Sequence, residues 1–352
     1  MYYINENVKN LERIFDQNKR SGYLRLDLNE NPGGLPQEFI DEVLSDITPE
    51  FISQYPETLE FTQDLADYLG VKIENICLVN GSSEGVRYVI EAFSSPGGKV
   101  VGVSPTYAMF EIYSEMYGRK FEAIQYTDDL QMPVERILEK MSRDVDLLII
   151  LNPNNPIGNV YTYEEMDQIV KKAEENEITL LIDEAYIYFY PNEFLKYAKE
   201  HRHVLITRTF SKLFSLAGCR LGYVVGHEEE IKQVQKLCTP HNVNAFGMKF
   251  AQAIFRKEGM LENMIEKQKE GKTYLIEKLE EKGYTINYGE GNFIFIKPKS
   301  EAGQVVDDLK HKKGILIKTY DNVGALGKCL RVSTGEKEYM EQFLEALFEV
   351  DI

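Results

Sequence analysis

The sequence predicts an α/β protein built on a mostly parallel sheet that helices cover on both faces. From residue 75 onward, short apolar runs alternate with stretches of helical period, as in a chain of strand–helix units. The runs at 146–151 and 179–183 are nearly continuously apolar, which is typical of strands buried on both faces. Unusual polar turns follow several of these runs. In such a sheet, ligands bind where the strands end, so the turns indicate a site at one sheet edge.

The individual elements follow from the same patterns. We expect strands at 76–79, 99–103, 121–125, 146–151, 179–183, 203–207 and 221–225. We expect helices at about 36–47, 58–69, 82–94, 107–117 and 163–176. Residues 227–282 are mainly helical in pattern, and the remaining chain predicts strands at 293–297, 315–318 and 329–333 with helices at 301–313 and 336–349. The predicted organisation is an N-terminal arm (1–34) that is part of a small domain, a large domain (35–245) and a small α+β domain (246–352).

Composition excludes several classes of function. The net charge of −17 argues against binding to nucleic acid or to an anionic membrane through bulk electrostatics. The start of the chain is too polar for a signal peptide, and no apolar run approaches the length of a membrane helix. The four cysteines show no metal-binding spacing, and the five histidines form no HxxxH or HExxH pattern. We therefore expect a cytoplasmic protein without a metal.

The segment 208–223 (RTFSKLFSLAGCRLGY) carries the strongest chemical signal. Lys212 lies in a turn between two apolar runs, where desolvation would lower its pKa and suit it to a Schiff base with a carbonyl cofactor. Thr209, Ser211 and Arg220 offer two hydroxyls and a guanidinium, which suit a phosphate group. Together they point to pyridoxal phosphate. The alternative is that Lys212 is an ordinary surface lysine in a loop.

Asp183 ends an apolar run, and a buried aspartate needs a partner. A protonated pyridine nitrogen is such a partner, and the pairing makes the ring an electron sink. The alternative is a helix N-cap. Asn155, in the proline-rich NPNNP turn, and Tyr186 could both bond a ring oxygen, although NPNNP could also be only a rigid turn.

Three further side chains suit the same cofactor. Ser82 and Ser83 lie where a helix is predicted to begin, so their amides and hydroxyls could bind a phosphate at the positive end of the helix dipole. Simple capping of the helix is the alternative. Tyr107 follows a strand and could stack on a flat ring, or be a core or rim tyrosine.

Taken together, these motifs resemble the fold-type I pyridoxal phosphate enzymes, and most closely the histidinol-phosphate aminotransferase-like family. The resemblance extends over nearly the whole chain. Its motifs are NENP, YPE, NGSSEG, SPTYAMF, NPNNPIG, DEAYIYF, RTFSKLFSLAGCRLGY, GNFIFIK, GILIK and LRVSTG. It implies a large domain with a mostly parallel seven-stranded sheet, a small α+β domain and a homodimer with shared active sites.

The resemblance also implies the role of each matching residue. Lys212 would bind the cofactor and move the proton between substrate and cofactor, with Asp183 and Tyr186 as further catalytic residues. The residues implied to contact the cofactor are Ser82, Ser83, Tyr107, Asn155, Asp183, Tyr186, Thr209, Ser211, Lys212, Arg220 and, from the other subunit, Tyr55. Those implied to contact substrate are Asn29, His241, Lys318 and Arg331, of which Arg331 would bind the α-carboxylate.

Four departures from the family pattern lie on the substrate side. Residues 10–15 (NLERIF) lack the Pro-Tyr pair whose tyrosine helps to hold a substrate phosphate, and Lys318 replaces the arginine that usually ends the GILxR strand. His241 stands where a tyrosine is more common, and Gly33 stands where an aromatic residue often follows NENP. The cofactor side shows no such departure. Lys318 keeps a positive charge, so an anionic substrate remains expected.

The predicted activity is transamination between glutamate/2-oxoglutarate and a small, phosphorylated amine or ketone. Histidinol phosphate is the leading candidate, and serinol phosphate-like or amino-sugar-like substrates also suit the altered pocket. A decarboxylase of phosphorylated amino acids is the alternative within the fold, because the reaction depends on which substrate bond stands perpendicular to the ring. A non-catalytic binding protein of the same fold is the remaining alternative.

Overall fold

The computed structural model describes residues 2–12, 19–321 and 323–352. The strands are β1 (Leu24–Arg25), β2 (Ile76–Val79), β3 (Lys99–Ser104), β4 (Lys120–Gln125), β5 (Val145–Leu151), β6 (Thr179–Asp183), β7 (Val204–Thr209), β8 (Gly222–Val225), β9 (Thr285–Asn287), β10 (Phe293–Lys297), β11 (Ile315–Leu316), β12 (Lys318–Tyr320) and β13 (Cys329–Ser333). Residues 13–15 of the NLERIF segment lie outside the described residues.

The helices are named in the same way. They are α1 (Glu6–Lys9), α2 (Gln37–Ser45), α3 (Pro49–Ser53), α4 (Leu59–Leu69), α5 (Ser82–Phe93), α6 (Met109–Met116), α7 (Val134–Lys140), α8 (Tyr163–Glu175), α9 (Leu195–Glu200), α10 (Glu228–Gln235), α11 (Ala245–Arg256), α12 (Met260–Glu281), α13 (Ala302–Lys313) and α14 (Lys337–Val350). In the described chain, no helix is both long and apolar enough to cross a membrane.

The central sheet confirms the predicted α/β class. In the described part of the chain it has seven strands in the order β2-β8-β7-β6-β5-β3-β4. The pairs from β4 to β7 are parallel, and only β8 runs antiparallel to its neighbours β7 and β2. Successive residues of one strand enter different cores: Leu148 and Ile150 belong to one, whereas Leu147 and Ile149 belong to the other. Both faces are therefore apolar and covered, which is why these strands lack an alternating pattern.

A smaller α+β unit follows the large sheet. Its antiparallel sheet has the order β12-β13-β10-β9, and α12, α13 and α14 supply part of its separate core. Leu26 of the N-terminal segment is buried in that same core, beside the parallel pair of β1 with β11. The single strand predicted at 315–318 is wrong. The chain changes partner at Ile317, so that β11 pairs with β1 and β12 pairs with β13.

The helices α11 and α12 connect the two units. Met248 and Ile254 of α11 and Leu261 of α12 pack into the core of the large sheet. Leu275 and Leu279, near the other end of α12, pack into the core of the small unit. The boundary at residues 245/246 remains a prediction, and this packing favours a boundary within α12.

Candidate active site

Lys212 lies in the turn between β7 and β8, at the sheet edge where the parallel strands end. Its Nζ donates to the carbonyl oxygen of Leu28 at 3.0 Å and lies 5.8 Å from the ring centre of Tyr186. Burial, together with the positive charges of Arg331 and Arg220, lowers the pKa of Lys212 to about 8. With this pKa, roughly a tenth of the Lys212 side chains are neutral at pH 7, far more than for a lysine of ordinary pKa. Lys212 is therefore a competent nucleophile and base.

Asp183, the last residue of β6, is buried with an unsatisfied oxygen. The residue is 2% exposed, and its Oδ1 has no hydrogen-bond partner within the described residues. Burial raises the pKa of Asp183 to about 7. A buried carboxylate is costly unless a donor or a cation meets it, and a protonated pyridine nitrogen is both. This unpartnered oxygen fits pyridoxal phosphate.

The start of α5 forms one wall of a small cup that Arg220 also borders. Gly81 is the N-cap residue and has no side chain to cap the helix, which leaves the positive end of α5 open to an anion. Gly81 has φ = 80°, and a Cβ there would lie 2.6 Å from Arg220 Nη2. A Cβ at Gly222 would lie 2.6 Å from the amide nitrogen of Ser82. Larger residues at either position would fill the cup.

Hydroxyl groups form the opposite wall of the cup. The Thr209 hydroxyl donates to Ser211 Oγ at 3.0 Å, and Arg220 Nη1 donates to the same oxygen at 3.3 Å. The hydroxyls of Ser83 and Tyr107 lie 2.9 Å apart, so the tyrosine is tied to the start of α5. The structure thus brings together all six predicted phosphate and ring-stacking residues. Sequence analysis did not identify the two glycines as part of the site, although GSS after a strand was an available signal.

Tyr186 is held from the N-terminal segment. Asn29 Nδ2 donates to the Tyr186 hydroxyl at 2.9 Å, and the hydroxyl of Ser333 donates to Asn29 Oδ1 at 3.2 Å. Asn29 has φ = 57°, a left-handed conformation that asparagine tolerates better than most residues. The amide of Asn29, predicted to contact substrate, is thus engaged in positioning Tyr186 in this structure.

Arg331, on β13, is buried, and its guanidinium is held by three hydrogen bonds. Nη1 donates to Asn155 Oδ1 at 3.0 Å and to the Tyr320 hydroxyl at 3.3 Å, while Nη2 donates to the carbonyl oxygen of Asp27 at 2.8 Å. Within the described residues, Nε has no partner. A fixed guanidinium with a free N–H is suited to a carboxylate. The Asn155 oxygen faces this arginine.

Tyr320 is a site residue that sequence analysis missed. Besides its hydrogen bond, its ring centre lies 5.3 Å from the guanidinium carbon of Arg331. An available signal was its spacing of two residues from Lys318, which places both on one face of β12. Lys318 lies directly opposite Arg331 in the antiparallel pair of β12 with β13, so the two side chains share a face of the sheet.

Tyr55 and His241 lie at the surface of the chain. Tyr55 is 77% exposed, and its ring stacks on the His241 ring at a centroid distance of 4.4 Å. His241 adopts a left-handed backbone conformation with φ = 55°. The contact of Tyr55 with the cofactor of a second subunit and the contact of His241 with substrate both remain predictions.

The comparisons with known proteins agree with this geometry. The sequence profile of the family described as aminotransferase class I and II matches residues 21–347. The chain belongs to that family. It is a pyridoxal phosphate-dependent aminotransferase of fold type I. A histidinol-phosphate aminotransferase of Thermoanaerobacter sp. (strain X514) is 30% identical, over 93% of this chain and 92% of that protein.

Two solved structures of aminotransferases align with nearly the whole of this chain. The histidinol-phosphate aminotransferase of Clostridium acetobutylicum is 27% identical with a TM-score of 0.81, covering 93% of this chain and 99% of the other. That of Sinorhizobium meliloti, solved in complex with pyridoxal-5'-phosphate, is 22% identical with a TM-score of 0.86, covering 99% and 98%. Both units of this aminotransferase thus have counterparts in a single known fold.

Proposed function

We propose that this aminotransferase exchanges an amino group between glutamate/2-oxoglutarate and a small phosphorylated amine or ketone, with histidinol phosphate as the leading substrate. The observation that carries the proposal is the buried Arg331 guanidinium, whose Nε has no hydrogen-bond partner within the described residues and whose charge lowers the pKa of Lys212. That guanidinium suits the α-carboxylate of an amino-acid donor. The relatives named histidinol-phosphate aminotransferase support the choice of substrate.

The proposed work of the chain's own residues follows from their contacts. When bound, pyridoxal phosphate withdraws electrons from the α-carbon of the substrate. Lys212 Nζ takes the proton from that carbon and delivers it to the new position, which a pKa of about 8 permits. Asp183 keeps the ring nitrogen protonated, and Tyr186 and Asn155 bond the ring oxygen. Tyr107 packs on the ring face.

The phosphate contacts fix where the ring lies. We assign them to Ser82 and Ser83 at the start of α5 and to Thr209, Ser211 and Arg220 on the opposite wall. These groups bind the phosphate and take no part in proton transfer. Their role is to position the ring between Lys212 and Asp183.

A visible spectrum of the purified holoenzyme, before and after L-glutamate is added, tests the activity. We expect the absorption band of the bound cofactor to be lost and the pyridoxamine form to appear, since glutamate gives up its amino group in the first half-reaction. Adding 2-oxoglutarate should reverse the change. A band that glutamate leaves unchanged would contradict glutamate as the donor, and release of carbon dioxide from a phosphorylated amino acid would favour the decarboxylase.

Lys318→Ala tests whether the second substrate carries a phosphate. Removing one charge-assisted contact costs ~1.5–3 kcal/mol, so we expect kcat/KM for histidinol phosphate to fall by roughly 10- to 100-fold. The value for glutamate should change little, because its α-carboxylate is assigned to Arg331. Lys297→Ala, at the exposed end of β10, is the control. An equal loss on both substrates would refute a phosphate-specific role.

We also propose a homodimer in which Tyr55 reaches the active site of the partner subunit. Large apolar side chains are exposed on α3, α4, α11 and the segment between α3 and α4. They are Ile52, Tyr55, Leu59 and Phe246. Exposed apolar side chains that lie in neighbouring elements support a protein interface. Light scattering checks the proposal, and we expect the mass of two chains in solution. A cytoplasmic location belongs to the same proposal and can be checked by cell fractionation.

A further inference from the structure

Three side chains that commonly bind metals converge at the edge of the sheet opposite Lys212. Glu174 lies in the last turn of α8, His201 is the C-cap residue that follows α9, and His203 directly precedes β7. One ligand atom of each lies within 4.8 Å of the other two. Because Lys212 follows the same strand β7 that His203 precedes, the whole length of that strand separates the cluster from the active site. The cluster therefore has no part in the aminotransferase chemistry described above.

One ring nitrogen of His203 is fixed by a hydrogen bond, which leaves the other as the candidate metal ligand. Its Nε2 lies 3.1 Å from the carbonyl oxygen of Val170 in α8. A carbonyl oxygen only accepts, so Nε2 is the protonated nitrogen and Nδ1 keeps its lone pair. In metal sites, a hydrogen bond from the other ring nitrogen to a carbonyl fixes the tautomer in this way.

The second histidine already faces the carboxylate. His201 Nδ1 lies 4.0 Å from Glu174 Oε2, and the side chain of His201 is 29% exposed. A bound ion would draw these atoms closer, because bonds of about 2.0–2.2 Å place tetrahedral ligands roughly 3.3–3.6 Å apart. The Glu174 side chain is 65% exposed at the end of a helix, so it can make this movement without disturbing the core.

We propose that Glu174, His201 and His203 bind one Zn²⁺ ion, with water completing the coordination. Two imidazoles and one carboxylate form a ligand set that zinc accepts, whereas Mg²⁺ and Ca²⁺ prefer oxygen ligands alone. The ion joins the end of α8 to the segment between α9 and β7. Because it binds the folded state, it stabilises that state by an amount that grows with the logarithm of the free zinc concentration above the Kd. This departs from the expectation of a metal-free protein. The metal-free prediction depended on the absence of HxxxH and HExxH patterns, and it did not include an HxH pair that a distant glutamate completes.

Calorimetric titration of Zn²⁺ into the EDTA-treated, dialysed holoenzyme, carrying no affinity tag, tests the site. We expect one ion per chain, an upward shift of the melting temperature with zinc, and no comparable response to Mg²⁺. His203→Ala and His201→Ala should each weaken binding by at least ~10-fold, and Glu174→Gln should weaken it as well. His311→Ala, which removes a histidine of α13, should bind like the wild type.

The readouts separate loss of the site from loss of the fold. Each variant should retain its cofactor absorption and its amino-transfer rate, since the cluster lies away from Lys212. Zinc binding to His203→Ala with wild-type affinity would overturn the proposal, as would the absence of a one-to-one site in the wild type. If an alanine variant loses its cofactor absorption, Glu174→Gln, which changes only an exposed side chain, gives the deciding comparison.

Discussion

Lys212→Ala is expected to lower the rate of amino transfer by about 10⁴-fold or more. General acid–base catalysis alone contributes ~10²–10⁴, and this variant also removes the amine that bonds the cofactor carbonyl. The fold should persist, because within the described residues the Lys212 Nζ donates a hydrogen bond only to the Leu28 carbonyl, and the side chain is partly buried. The rate with glutamate and 2-oxoglutarate, together with circular dichroism, checks both halves of the prediction.

The control and a mixing experiment sharpen this result. Lys232→Ala, which removes an exposed lysine of α10, should leave the rate unchanged.

If Tyr55 completes the partner's active site, mixing Lys212→Ala with Tyr55→Ala subunits should restore activity, because one site of each hybrid dimer has both residues. Activity retained by Lys212→Ala alone would refute its assignment. A mixture no more active than its parts would refute the shared site and leave the role of Lys212 intact.

Asp183→Asn is expected to lower the rate by about 10³-fold while the cofactor still binds. A neutral amide cannot keep the ring nitrogen protonated, and the loss of one preorganised electrostatic contact commonly costs ~10²–10³ in rate. The phosphate cup of Ser82, Ser211 and Arg220 is unchanged in this variant, so the cofactor absorption should persist. A variant with wild-type turnover would show that no ion pair with Asp183 is needed.

The same variant should stabilise the cofactor-free protein at alkaline pH. In the folded chain the pKa of Asp183 is about 7, against an ordinary value of 3.8. Above pH 7 the carboxylate is charged in both the folded and unfolded states, and burying it costs about 4 kcal/mol. Below about pH 4 it is protonated in both states, and the cost vanishes. Asp183→Asn should therefore unfold at higher denaturant concentration than wild type at pH 8, with a gain that shrinks toward pH 4.

Asp308→Asn is the control for this pH dependence. Asp308 is a partly exposed residue whose pKa is lowered by the hydrogen bond that it accepts from Lys312, so the sign is opposite. Its contribution to stability is present at neutral pH and is lost as pH falls. The control should thus show no gain at pH 8. A gain for Asp183→Asn that did not depend on pH would contradict burial of the charge as its cause.

Much of the large unit was predictable from local pattern. The strand Thr179–Asp183 was predicted with its observed limits, because a short apolar run that ends at a charged residue is typical of a buried strand. Lys212, Asp183 and Ser82 were expected to converge, since parallel strands end at one edge of a sheet. The helix at 163–176 was similarly clear, and the structure ends it one residue earlier.

The small unit was harder to predict, because its pairing joins distant parts of the chain. The run at 315–318 looks like one strand, yet its two ends have different partners, β1 and β13. Tyr320 is a site residue only because β12 lies beside β13 and brings its hydroxyl to Arg331. Glu174 and the two histidines form a cluster only because α8 packs beside the segment that leads into β7.

By itself, the sequence determined the fold class and the chemical inventory of the site, since burial patterns and residue types are local properties. Only the tertiary structure decided which polar atoms are left without a partner. Asp183 Oδ1 and Arg331 Nε are two such atoms, and they lie where a ring nitrogen and a carboxylate are proposed to bind. Whether a donor or acceptor is satisfied depends on every neighbour within hydrogen-bonding distance. Those neighbours come from strands and turns far apart in the chain.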